Sequence, residues 1–135
     1  MAYNGWLIKV GNYTIDTKKY VRAETYNVTR QVLDLDSYRD ANGLLHRNAL
    51  DHITYKVEFN TPPMLDNTQV AELMSNIRAN FINQLERKAN VTIYVPETDS
   101  YVTQEMYMPD IQFPMYGNYH DKIEYNEIRL AFIGY

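Results

Sequence analysis

The residues best able to do chemistry in this sequence are three histidines and a run of acidic side chains. His46 and His52 are close in sequence, and His120 is distant from both. Zinc sites built from histidines on one strand or helix use closer spacings, and the chain has no cysteine to complete such a site. We therefore expect these histidines to lie on the surface or in loops and not to bind a metal.

The acidic run extends from Asp34 to Asp40 and superficially resembles a calcium-binding loop. An EF-hand loop needs an oxygen ligand at its fifth position and a glycine at its sixth. The sequence has Tyr38 and Arg39 at these positions, and no helix is predicted on either side. The motif therefore fails, and no bound metal is expected here.

No arrangement of nucleophiles or phosphate-binding glycines points to an enzyme. Ser37, Ser75 and Ser100 lack the Gly-x-Ser-x-Gly setting that exposes a serine nucleophile. The five glycines are too widely spaced for a phosphate-binding loop. Candidate carboxylate pairs fall in segments predicted to be strands, where a solvated strand face accounts for them. The sequence therefore predicts neither a catalytic centre nor a cofactor.

Length, charge and composition limit the possible functions. With 135 residues the chain fits a single domain over residues 1–135, large enough to need no stabilising metal or disulfide. The absence of cysteine suits folding in a reducing cytoplasm. A formal net charge of −4 argues against sequence-specific nucleic-acid binding. No apolar run approaches the roughly 18 residues of a membrane span, so no membrane association is expected.

Most of the chain has patterns typical of short β-strands. Its 13 tyrosines favour strands, because aromatic side chains pack well on a pleated surface. Gly11-Asn12 predicts a hairpin near the N-terminus, and the polar turn at residues 97–100 predicts another. Strands are predicted over residues 6–10, 13–15, 20–27, 28–35, 49–60, 90–95, 101–108 and 123–135.

One segment has a helical period. Asp66 and Gln69 fit a capping box at its start. Apolar residues then recur on one helix face, at Val70, Leu73, Met74, Ile77 and Phe81. The helix is expected to end between Asn80 and Lys88. The predicted fold class is α+β: a mostly antiparallel β sandwich or barrel with this amphipathic helix packed on it.

Two segments are candidates for contact with another subunit. Residues 37–48 are polar and contain Arg39, Asp40 and Arg47, so they are expected to form an exposed loop that a neighbouring subunit orders. Residues 106–116 are rich in methionine and aromatic residues on both strand faces, with two prolines. Core packing and subunit contact remain equally open for this run. The predicted interface residues are Arg39, Asp40, Arg47, Tyr107, Met108 and Tyr116.

The sequence also resembles a family of short, uncharacterised proteins encoded among the tail genes of phages and prophages of gram-positive bacteria. The resemblance covers nearly the whole chain. It rests on residues 5–11 (GWLIKVG), 35–50 (LDSYRDANGxLHRNAL), 74–78 (MSNIR), 94–98 (YVPET) and 107–111 (YMPDI). This resemblance implies a genomic context, since the function of the family is not established.

The order of strands, long polar loop, strand, helix and strands is more distantly similar to the phage tail-tube fold of tube, baseplate hub and distal tail proteins. That similarity implies a homo-oligomeric ring, usually of six subunits, with residues 37–48 reaching the adjoining ring. It also implies other tail proteins as partners and a virion location after assembly in the host cytoplasm. The alternative from the residues alone is a monomeric β-barrel that binds a small ligand or a host-surface glycan.

Overall fold

The computed structural model describes residues 3–34 and 36–135, without the side chains of residues 33–34 and 49–52. Twelve strands occur in this part of the chain: β1 Ile8–Val10, β2 Tyr13–Thr14, β3 Asn27–Asp34, β4 Tyr38–Arg39, β5 Leu45–His46, β6 Ala49–Asn60, β7 Leu65–Asp66, β8 Lys88–Val95, β9 Ser100–Tyr107, β10 Met115–Asn118, β11 Ile123–Tyr125 and β12 Arg129–Gly134. The helices are α1 Thr17–Tyr20, α2 Asn67–Ala79 and a 3-10 turn at Ala23–Thr25. The predicted α+β class, mostly antiparallel with one main helix, is confirmed.

Seven strands form the main sheet in the order β2-β1-β8-β9-β12-β6-β3, and every described pairing is antiparallel. The sheet curls on itself, because Tyr26, beside β3, donates its hydroxyl to the carbonyl of Tyr94 on β8 at 2.6 Å. The core lies inside this curl, where Val57, Phe59 and Phe132 pack in one cluster with Val91. A second sheet has the order β10-β11-β7.

The α2 helix confirms the sequence prediction at its start and on its buried face. Asp66 accepts the N–H of Gln69 at 2.8 Å, while the Gln69 side chain accepts the N–H of Asp66 at 3.1 Å. Its buried residues are Val70, Leu73, Met74 and Ile77. Asn80 is the C-cap, so the helix stops at the early limit of the predicted range. Phe81 lies just beyond it and packs partly buried against the core.

Two predicted strands are wrong. Residues 20–27 contain the end of α1 and the 3-10 turn, because Asp16 caps α1 by accepting the N–H groups of Lys18 and Lys19. Residues 123–135 form two strands in different sheets. The chain crosses between the sheets near Ile128, whose backbone exchanges hydrogen bonds with Thr61. The two predicted hairpins and the strand at residues 49–60 are confirmed.

Strand register places the β4–β5 segment at one end of the main sheet and the loops next to β8 and β9 at the other end. β6 and β9 run in the same direction, because both pair antiparallel with β12. The segment that contains β4 and β5 precedes β6 and so projects from the end where β6 begins. The loops at residues 80–87 and 108–114 lie at the other end, since Lys88 pairs with Tyr107 at the finish of β9.

Candidate subunit interface

The segment of residues 37–48 is a hairpin and not the irregular loop that its composition predicts. β4 pairs with β5, with Tyr38 opposite His46 and Arg39 opposite Leu45. Asp40 holds the turn, because its Oδ1 accepts the N–H groups of Asn42 at 2.9 Å and Leu44 at 3.0 Å. We call residues 37–48 the projecting hairpin.

A hydrogen-bonded pair and a ring stack stabilise the projecting hairpin. Nε2 of His46 lies 3.0 Å from Oδ2 of Asp40. The imidazole stacks on the ring of Tyr38, with centroids 4.9 Å apart and planes at 9°. The hydrogen bond to His46, and after it the N–H of Leu44, lower the pKa of Asp40. The predicted interface residue Asp40 therefore has a role inside the hairpin.

The tip of the projecting hairpin exposes apolar side chains. Tyr38 is 60% exposed, Leu44 63% and Leu45 42%. The predicted interface residues Arg39 and Arg47 are also exposed, and Arg39 donates to the carbonyl of Gly43 at 2.9 Å. Apolar side chains this exposed at the end of an extension are typical of surfaces that a partner covers.

The remaining predicted interface residues lie elsewhere. Met108 is 2% exposed and packs in the core cluster. Tyr107 is half-buried, with its ring 5.6 Å from that of Tyr135. Tyr116 is 56% exposed, because a register shift in β10 leaves it without a partner residue on β11. The structure therefore does not bring the six predicted residues together.

An apolar groove that was not predicted from the sequence lies at the end of the sheet opposite the projecting hairpin. It encloses about 370 Å³ between the C-terminal part of α2 and the segment that follows β9. Its apolar lining is formed by Met74, Phe81, Met108, Ile111 and Phe113. The two prolines of the 106–116 run were the available signal, because they stop this segment from pairing as a strand.

Polar side chains border this groove. Arg87 forms an ion pair with Asp110 at 2.9 Å, and Gln84 donates to the carbonyl of Arg78 at 2.8 Å. The guanidinium of Arg78 is exposed and has no ion-pair partner among the described side chains. The groove therefore combines an apolar lining with a cationic margin.

Aromatic residues that are dispersed in sequence meet on the outer face of the sheet. Trp6 and Tyr101 have ring centroids 4.3 Å apart, and Tyr94 packs edge-on to Tyr101 at 5.6 Å. The hydroxyl of Tyr101 donates to the carbonyl of Trp6 at 2.7 Å. These rings pack against one another and hold the N-terminal segment on the sheet, which accounts for their clustering.

The structure also bears on most of the residues considered for metal binding. Among the described side chains, no group of three or more histidine and acidic residues is close enough to hold a metal ion. The side chains of His52 and Asp34 lie outside the described residues. No helix in the described part of the chain has the length and apolar character needed to cross a bilayer.

The whole chain, residues 1–135, matches a family of unknown function, DUF6711. The chain belongs to this family. No curated protein matches this member of DUF6711. Two solved structures share its fold. One, from the tail of an empty gene transfer agent particle with C6 symmetry, is 15% identical with a TM-score of 0.54. The other, from the virion of the native gene transfer agent, is 14% identical with a TM-score of 0.55. Each match covers 99% of this chain and 95% of the other.

Proposed function

We propose that this chain is a structural component of a phage or phage-like tail, in which its copies form a homo-oligomeric ring in the tail tube or at its distal end. The observation that carries the proposal is the shared fold, over 99% of the chain, with a chain from a gene transfer agent tail of C6 symmetry. That symmetry supports a ring of six copies. The chain then acts without catalysis in the virion, beside other tail proteins.

Features of the surface support this role. β3 and β10 each end a sheet, so one side of each strand offers unpaired backbone groups within the described residues. Such edges pair readily with another chain. The projecting hairpin supplies a second contact surface, with apolar side chains at its tip. The predicted interface residues Arg39, Arg47, Tyr107 and Tyr116 remain candidates for contacts between copies.

The mass of the purified full-length protein in solution tests the proposal. A tail component is expected to sediment as a species of about six copies, or as longer stacks, and to appear as rings in negative-stain electron micrographs. A protein that stays monomeric at every concentration contradicts the ring. Monomers that also bind glycans would favour the binding-module alternative.

A further inference from the structure

We propose that the apolar groove at one end of the sheet receives the tip of the projecting hairpin of a second copy. This inference rests on the proposed function, because it names the surface that the hairpin contacts in the assembled tail. The two surfaces lie at opposite ends of the same sheet, so copies aligned along the strands bring one to the other. Such a head-to-tail contact joins different surfaces and repeats along an axis.

The two surfaces match in apolar character and size. The hairpin tip presents Leu44 and Leu45, which are 63% and 42% exposed. The groove encloses about 370 Å³ lined by Phe81, Ile111 and Phe113 among others. A dry cavity of about 150 Å³ holds a benzene ring, so this groove has room for two leucine side chains.

Their charges are also complementary. Asp36, at the base of the hairpin, is exposed and has no ion-pair partner among the described residues. Arg78 at the groove margin is likewise exposed and has no ion-pair partner among the described side chains. The Tyr38 ring stacks on His46 and is still 60% exposed, and a guanidinium can stack on an exposed ring of this kind. Asp36 of one copy and Arg78 of the next therefore carry opposite charges.

Engineered cysteines test this contact directly, because the natural chain has none. A full-length variant with Leu44→Cys and Gln84→Cys carries one thiol at the tip and one at the groove margin, both at exposed positions. The two thiols of one copy are about 25 Å or more apart, from the ~3.3 Å rise per residue along the eight residues of β9. A short bis-maleimide therefore links only different copies.

We expect the assembled double variant to give a ladder of dimers, trimers and longer chains on a denaturing gel, while each single-cysteine variant stops at dimers. A control pairs Leu44→Cys with Glu72→Cys, which is exposed on α2 but does not line the groove. An equal ladder in this control overturns the contact. Rings or stacks in micrographs without a ladder overturn it while the proposed function stands. A parent chain that forms neither rings nor stacks overturns both.

Discussion

The side-chain amide of Gln104 accepts the backbone N–H of Tyr55 at 3.1 Å, and it also donates to the carbonyl of Ile53 at 3.0 Å. Gln104 lies on β9, and both of its partners are on β6. β12 lies between these strands but pairs with β6 only as far as Lys56. The amide therefore makes the two hydrogen bonds that a further strand residue would make, where β12 has ended at Gly134.

Replacing Gln104 is expected to destabilise the sheet at this junction. Gln104→Ala leaves a partly buried N–H and a carbonyl of β6 without partners, which costs about 1–3 kcal/mol of unfolding free energy. Gln104→Glu retains an acceptor for Tyr55 but places a carboxylate oxygen against the carbonyl of Ile53, so we expect a loss at least as large. Urea unfolding measures both. Gln112→Ala, at an exposed position, is the matched control, and an equal effect there would contradict the assigned role.

The buried face of α2 is expected to contribute to the stability of the whole domain. Leu73 is 2% exposed, so Leu73→Ala creates a cavity and should lower the free energy of unfolding by roughly 2–5 kcal/mol. Glu72→Ala, at the neighbouring exposed position, should change it by less than about 0.5 kcal/mol. If the two variants melt together in urea, the helix is peripheral to the fold.

Local patterns in the sequence predicted α2 and β6, because the boundaries of both elements depend on residues close in sequence. A capping box marks the start of α2, and Pro62 follows the end of β6. The start of α1 was missed, although Asp16 is a capping residue, since the alternation that follows it resembles a strand. Long-range relationships were not predictable. Residues 123–135 divide between two sheets through contacts with Thr61, and the groove exists only because α2 and the segment after β9 meet.

The projecting hairpin is expected to lose order in acid. The pKa of Asp40 is lowered, first by its hydrogen bond to His46 and then by the N–H groups of its turn. Because the folded pKa lies below the unfolded one, the carboxylate stabilises the hairpin above the ordinary aspartate pKa. This contribution is lost as the pH falls through the lowered value. NMR titration of the Asn42 and Leu44 amides, which donate to Asp40, follows the change.

Two variants separate the causes of this shift. His46→Ala removes the largest one, so the Asp40 pKa should rise toward its ordinary value while the turn amides keep their acceptor. Asp40→Asn should remove the acid transition from the two amide signals. A titration midpoint in the parent chain at or above the ordinary aspartate value would show that the pair with His46 does not form in solution.

Deleting residues 38–46 is expected to separate folding from assembly. The hydrogen bonds described for these residues stay within the projecting hairpin, and its tip packs on no part of the core. Asp34 and Ala49 pair across β3 and β6, so residues 35–37 and 47–48 remain to join them. A connection of that length is common in hairpins. The thermal transition of the shortened chain should therefore stay close to that of the parent.

Assembly should fail in the same variant, because the shortened chain lacks the surface that we propose contacts the next copy. Sedimentation and negative-stain electron microscopy of the two proteins at equal concentration measure this loss, and incorporation into particles measures it where the full set of tail proteins is expressed. A matched control exchanges the two turn residues, as Asn42→Gly with Gly43→Asn. This variant keeps Leu44 and the length of the hairpin. If the deletion variant unfolds, the hairpin belongs to the folded domain. If it assembles like the parent, the hairpin is not a contact between copies.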